Sequence, residues 1–401
     1  MPPGDNEKHF ARLRGRLRIA PLGWTKVKIR EYETPLSGEM VDRPLPSNLD
    51  PRHRARFIAL QHERLAHPKI ANYEDAEVRG RGPAFSQGRP IAESLAAIPC
   101  LDRWYRRHGP TKAAIESWLS RPQTLDSPAV WITDDWCSNY YHWMCDALPR
   151  LELAAMHCDL QSMTLLLPAQ LRRMKFVAES LRTYGLKEVR FLHRFERIRC
   201  RDLTMPSHVA SCGNVRHTMI QALRKRFLNQ IFSGEATDAS LAAGMTLASG
   251  SPIETSRIYV SRCNAKRRRI ENEQDILPVL AEHGFRAVVA EDLSWTQQLQ
   301  IFSQAHCVVT NHGAGLTNML MMPPGSKVLE ITGDETFSVP CFHSLAAASQ
   351  LDYWYLIADK ANVRKSSHDG HLRVAPSTLD RTLTEMLQAR NAHHSPQRQT
   401  A

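Results

Sequence analysis

The feature that most limits the fold is a regular alternation between residues 258 and 331. Apolar runs at 258–260, 287–289, 307–310 and 328–331 have the length of buried strands, and amphipathic stretches separate them. Asn272 is placed to cap a helix running through Leu280. Ser294 and Gln297 have capping-box spacing ahead of a second helix. Strand, helix, strand, helix, strand, glycine turn, helix, strand is the order of a doubly wound α/β unit, whose ligands bind beyond the carboxyl ends of the strands.

The third run ends in Asn311-His312-Gly313-Ala314-Gly315-Leu316-Thr317-Asn318. Glycines let a diphosphate approach the backbone, and the first N–H groups of a following helix attract anions. Alone, such a turn serves equally well as a tight strand-to-helix connection. Its setting argues against a dinucleotide cofactor: Asn318 stands where that fingerprint wants a third small residue, and the turn follows the third strand, not the first. His312 reads either as a hydrogen-bond donor to phosphate or as a structural cap.

Other strand ends supply partners for this turn. Arg262 closes the run at 258–260, and Lys266-Arg267-Arg268-Arg269 follows in the loop before Asn272. Guanidinium groups grip phosphate oxygens in pairs and neutralise them without a metal. The same loop also reads as a solvated basic surface or a nucleic-acid patch, although no aromatic residue is interleaved with it. Glu330, near the end of the fourth run, is either an acceptor for ribose hydroxyls or a solvated strand-end acid.

The first half carries a second group of reactive side chains. A strand is expected at 130–132 and a helix over 139–156, with Trp143, Ala147 and Leu151 on one apolar stripe. His142, Asp146 and Arg150 recur at intervals of four and so share a face. Either His142 or Asp146 is able to take a proton from a hydroxyl, beside Tyr140, Tyr141 and Trp143 as surfaces for sugar rings. The alternative is that histidine and aspartate merely satisfy each other. Strands at 163–167 and 189–192 flank a helix through Phe176 and Leu181, which predicts a parallel α/β layer. The first hundred residues, with prolines at 2, 3, 21, 35, 44, 46 and 51, predict loops and short strands. Residues 233–256, rich in Ala, Ser, Gly and Thr, read as an interdomain linker.

At 401 residues the chain is long enough for two domains, each with its own core. The expected division is an extension over 1–100, an acceptor-side domain over 101–240, a nucleotide-binding domain over 255–375, and a last helix with a polar tail over 376–401. The formal charge of +11 favours acidic partners: nucleic acid, anionic lipid or a phosphorylated small molecule. No apolar run reaches the length of about 18 residues that spans a bilayer, and Met1 to Lys8 lack the apolar core of a secretory signal, so a cytoplasmic protein is expected. Nine cysteines without a CxxC pair predict free thiols. There is no HExxH, no cysteine cage, no spaced Asp-x-Asp and no GxSxG elbow, so neither a metal nor a serine nucleophile is expected.

Three blocks together resemble glycosyltransferase family 61. They are Asn139-Tyr140-Tyr141-His142-Trp143 through Asp146 and Leu148-Pro149-Arg150; Tyr259-Val260-Ser261-Arg262 with Arg268-Arg269-Ile270-Glu271-Asn272-Glu273; and the stretch from Ala305 through the glycine turn to Leu329-Glu330-Ile331. The resemblance covers roughly residues 130 to 335. It implies a GT-B architecture, two Rossmann-like domains facing across a cleft, and inverting transfer without a metal or other cofactor. On that pattern Arg262, Arg268, Asn272, His312, Gly313, Ala314, Gly315, Leu316 and Asn318 hold a nucleotide-diphosphate sugar, expected to be UDP-linked, and Glu330 holds its ribose. Asp146, then His142, are the candidate bases. The acceptor is a glycan or glycolipid of surface or capsular polysaccharide synthesis, and peripheral contact with an anionic inner membrane fits the charge. The last helix, over 377–390, is expected to cross back onto the first domain. The competing reading is a non-catalytic basic protein that binds nucleic acid or an anionic membrane surface.

Overall fold

The structure, a computed structural model, describes residues 29–34, 36, 38–96, 121–232, 256–333, 341–362 and 370–389. The expected linker at 233–256 falls almost wholly outside these residues, as does the tail from residue 390.

Among the described residues, eleven strands precede position 233: β1 (Ile29–Glu33), β2 (Met40–Asp42), β3 (His62–Arg64), β4 (Lys69–Arg79), β5 (Phe85–Ser86), β6 (Arg89–Pro90), β7 (Gln123–Leu125), β8 (Ala129–Val130), β9 (Thr164–Pro168), β10 (Glu188–Leu192) and β11 (Arg197–Pro206). Nine of them form one sheet, with β2 and β3 pairing separately. The parallel layer expected here is present but partial. Strands β8, β9 and β10 are parallel, as is β8 with β11, whereas β4 pairs antiparallel with both β1 and β11. The sheet is therefore mixed, and its long β4 comes from the segment expected to hold only loops and short strands. That strand alternates only weakly in polarity, which is why its pattern is hard to read from the sequence.

The second sheet holds the four strands expected over 258–331 and adds a fifth that the sequence pattern did not mark. Strands β12 (Arg257–Ser261), β13 (Arg286–Val289), β14 (Cys307–Asn311), β15 (Lys327–Thr332) and β16 (Asp352–Ile357) run in the order β13-β12-β14-β15-β16. All four pairings are parallel. Renumbered within the sheet, this is the order 2-1-3-4-5, whose direction of winding reverses between its first and third strands. The crevice at that reversal lies beyond the ends of β12 and β14, where Arg262 and His312 begin.

Nine α-helical segments among the described residues pack on these sheets: α1 (Arg54–Gln61), α2 (Tyr140–His142), α3 (Leu148–Ala155), α4 (Lys175–Leu181), α5 (His217–Phe232), α6 (Glu273–Glu282), α7 (Trp295–Gln304), α8 (Cys341–Ala348) and α9 (Pro376–Gln388). The capping box at Ser294 and Gln297 is formed at the start of α7. Asn272 precedes α6 but makes no capping bond there. Its amide instead donates to the Val374 carbonyl at 2.8 Å and accepts from the Val374 N–H at 3.0 Å.

A single apolar cluster runs through both halves, joining Ile132, Trp143, Leu148 and Leu165 to Trp295, Phe302, Met319 and Phe342. Helix α9 does not cross to the first half. Leu379, Leu383 and Met386 bury against Ile276 and Leu280 of α6 and against Trp354 of β16. The crossing is made from the other end of the chain: Ser47 N–H bonds to Tyr353 O, the Asn48 amide to Tyr355 O, and the His343 ring to Pro44 O. Phe57 of α1 packs beside His343 and Tyr355.

Candidate active site

The helix expected over 139–156 forms, but with a flaw at its centre. Asn139 caps it by accepting from the Tyr141 N–H, and between α2 and α3 the turn Trp143–Ala147 is wound as a π-helix. Such bulges cost backbone hydrogen-bond quality and gather at functional sites. Here the bulge carries Asp146 into a buried position, where its carboxylate meets the His142 Nδ1 at 2.7 Å. Burial pushes the Asp146 pKa upward, and His142 only partly opposes that. Arg150, on the same face in sequence, does not join the pair. It is fully buried, donates from Nε to Pro206 O at 2.9 Å, and leaves both Nη groups without a partner among the described residues.

A second carboxylate–imidazole pair stands nearby that the sequence reading missed. Asp134, just past β8, accepts from the His208 Nε2 at 2.9 Å, just past β11. Burial works against the Asp134 charge, yet His208, the Trp136 N–H and the positive field of Arg150 hold its carboxyl below the usual range. Two neighbouring carboxyls are thus driven in opposite directions, the arrangement that separates a proton acceptor from a permanent anion. The available signal was positional: Asp134 is the first acid after a buried strand run, at the carboxyl edge of parallel strands.

In the second half, β14 delivers the glycine turn and a 3₁₀ helix, Ala314–Met321, not the α-helix expected. The side chains of Leu316 and Asn318, expected at the donor, face the interior. The Leu316 side chain is core, and its N–H bonds to Gly313 O at 2.9 Å. The Asn318 amide donates to Gln298 at 3.0 Å and accepts from the Tyr140 hydroxyl, which in turn accepts from Trp295 Nε1 at 2.9 Å. Asn318 therefore fastens the two halves together. Only Ala314 and Gly315 are part-exposed, at the start of the helix where N–H groups lack intrahelical partners.

Arg262 lies over Gly313 so closely that a Cβ built there would sit 2.1 Å from its Nη1. Arg268 stands beside it in a left-handed backbone conformation at φ 55°, which a non-glycine residue adopts at a cost of about 1 kcal/mol. The Nε of each arginine is buried without a hydrogen-bond partner among the described residues. Burial lowers the pKa of both, and Arg262 further lowers that of Arg268. Lys266, Arg267 and Arg269 are exposed. Two desolvated like charges, only partly offset by Glu291 and Glu330, form a site that an anion would stabilise.

Glu330 is not the solvated strand-end acid considered above, nor is it open to a ribose. It is buried, with one carboxylate oxygen bonded to His312 Nδ1 and the other accepting from the Tyr353 hydroxyl at 2.6 Å. The pair fixes the His312 ring, leaving Nε2 as its remaining hydrogen-bonding atom. From that ring, neighbours stack edge to face across the boundary between the halves: His312 to Phe342 at 5.0 Å, Phe342 to Tyr141 at 5.6 Å, Tyr141 to His142 at 5.4 Å. The two polar centres thus lie at the ends of one aromatic row, each at the carboxyl edge of its own sheet.

Residues 140–329 match the sequence model of the glycosyltransferase 61 family. Over that span, just under half of its length, the chain is similar to glycosyltransferase family 61. The match begins at Tyr140, at the head of the helix that carries His142 and Asp146, and ends one residue before Glu330. The match supports a glycosyltransferase, a class that uses a sugar donor and a glycan acceptor. No curated protein matches the chain. No helix among the described residues is long and apolar enough to cross a membrane.

Proposed function

We propose that this glycosyltransferase transfers a sugar with inversion from a nucleotide diphosphate, UDP being the expected nucleotide, to a hydroxyl of a glycan or glycolipid acceptor. The observation that carries the reading is the pair of desolvated, unpaired arginines packed against the glycine turn at the winding reversal of the second sheet. Arg262 and Arg268 take the diphosphate oxygens, and the N–H groups of Ala314 and Gly315 approach the same group. His312, held by Glu330, donates from Nε2 to the departing phosphate. These charges neutralise the leaving group without calling on a metal. Across the aromatic row, Asp146 accepts the proton of the acceptor hydroxyl as its oxygen attacks the anomeric carbon, and His142 orients that carboxylate. A role in surface or capsular polysaccharide synthesis belongs to the same proposal, as does peripheral contact with an anionic membrane.

Calorimetric titration of the full chain with UDP, GDP and CMP compounds tests this directly. Binding of one nucleotide diphosphate is expected; silence toward all of them rejects the proposal. The nucleic-acid alternative predicts instead salt-sensitive binding of generic DNA or RNA.

The two glycines should separate fold from ligand. Nothing lies within 4 Å of a Cβ built on Gly315, so Gly315→Ala should fold as wild type and still weaken nucleotide binding, by about tenfold if a phosphate passes over that backbone. Gly313→Ala has to push Arg262 aside and should mimic its loss. Equal affinity in wild type and both variants, measured by calorimetry, would place the phosphates elsewhere.

Glu330→Gln keeps the shape of the buried carboxylate and removes its charge. The His312 ring then loses the carboxylate that orients it, so nucleotide binding is expected to weaken by about tenfold, one hydrogen bond to a charged phosphate. Unchanged affinity and turnover would show that Glu330 only packs.

A further inference from the structure

We infer that His142, Asp146 and Cys212 form a binding site for a borderline-soft divalent cation of the zinc class, seated on the atoms assigned above to proton abstraction. One imidazole nitrogen, one carboxylate oxygen and one thiol sulfur all lie within 4.8 Å of one another. In a tetrahedral zinc site, bonds of 2.0–2.3 Å put neighbouring donor atoms about 3.3–3.8 Å apart, so a shift of roughly an ångström closes the set. The histidine and aspartate are already in contact at 2.7 Å. The piece left to move is Cys212, an exposed residue in the loop between β11 and α5, where Asn214 N–H bonds back to Ser211 O.

The donor types select the metal. A thiolate and an imidazole in a set of three favour Zn²⁺ or Co²⁺ over Mg²⁺, which wants oxygen ligands in an octahedron. Asp146 is buried among Trp143, Met144, Cys145 and Ala147, so a cation there meets a carboxylate that water reaches poorly. The exposed side of Cys212 leaves a fourth position for water. Resting on the glycosyltransferase reading, the consequence is inhibition: a cation coordinated by Asp146 holds the electron pair that would accept the acceptor's proton.

Titrating the full chain with Co²⁺ under anaerobic conditions tests the site without reference to activity. The expected result is a thiolate-to-cobalt charge-transfer band with tetrahedral visible absorption, saturating at one equivalent and displaced by Zn²⁺. Cys212→Ser and His142→Asn should lose the band while keeping the wild-type circular dichroism. Cys263→Ser, which removes another exposed thiol, should retain it. Absence of the band in wild type, or its survival in Cys212→Ser, overturns the site. In a turnover assay, Zn²⁺ should inhibit wild type and spare Cys212→Ser, each measured against its own metal-free rate; equal inhibition of both overturns the control. A band in a protein that transfers no sugar supports the site and removes only its role in transfer.

Discussion

Arg262→Met is expected to lose nucleotide-diphosphate binding by about 10- to 150-fold while its melting temperature stays at or above that of wild type. Hydrogen bonds to charged groups contribute about 1.5–3 kcal/mol each, which sets that range. The stability side follows from the folded state. Burial lowers the Arg262 pKa with Glu291 only partly opposing it, so the fold disfavours its charge, and Arg262 in turn lowers the pKa of Arg268. Removing the charge relieves both. A side chain whose loss weakens binding and spares stability has been kept for its ligand, the usual sign of a site under functional strain. Arg262→Lys should recover only part of the affinity, since an ammonium cannot grip two phosphate oxygens as a guanidinium does. Calorimetry and thermal unfolding on the same preparations suffice. Wild-type affinity in Arg262→Met removes the arginine from the donor site, and a collapse in melting temperature reassigns it to the fold.

The second large effect is expected at Asp146. Asp146→Asn should lower the rate of transfer by about 10²- to 10⁴-fold, the ordinary contribution of a positioned base, with donor affinity held within about twofold. Asparagine keeps the volume and the hydrogen bond to His142 but has no electron pair basic enough to accept the proton. His142→Asn should cost less, because its imidazole orients the base and is not the final acceptor in this reading. Single-turnover measurements at saturating donor separate the chemical step from binding. Full turnover in Asp146→Asn would move the base to another group, and the nearest alternative is the Asp134–His208 pair, whose carboxylate already lies in the ionised state.

Four strands of the second sheet, β12 to β15, were legible because they are parallel and, β13 apart, almost wholly buried. Each then reads as an unbroken apolar run, and each carboxyl end marks the ligand edge, so Arg262 and the glycine turn could be named from spacing alone. Strand β4 was not legible. It pairs antiparallel on both sides and mixes charged residues such as Glu74, Asp75 and Glu77 into a long half-buried strand, which leaves no clean period. Residue types at the site were read more reliably than their bonds. Glu330, Asn318 and Asn272 each carry groups suited to a nucleotide, and each is engaged by a partner distant in sequence: Tyr353, Tyr140 and Val374. Local spacing holds no record of such partners. The His142–Asp146 contact was visible as an interval of four, whereas the π-turn that delivers it was not, because no residue in Trp143–Ala147 breaks a helix by propensity.

The hydrogen bonds from Tyr140 to Asn318 and from Trp295 to Tyr140 have a dynamic consequence. They tie the first residue of the helix that carries His142 and Asp146 to the helix that starts at the glycine turn, so the spacing between the proposed proton acceptor and the proposed phosphate cradle is set by the fold. Under the proposed function, transfer would not wait for two lobes to close. Amide exchange at Tyr140 and Tyr141 should be equally slow with and without nucleotide, and the motions that admit and release substrates are expected in segments outside this clasp.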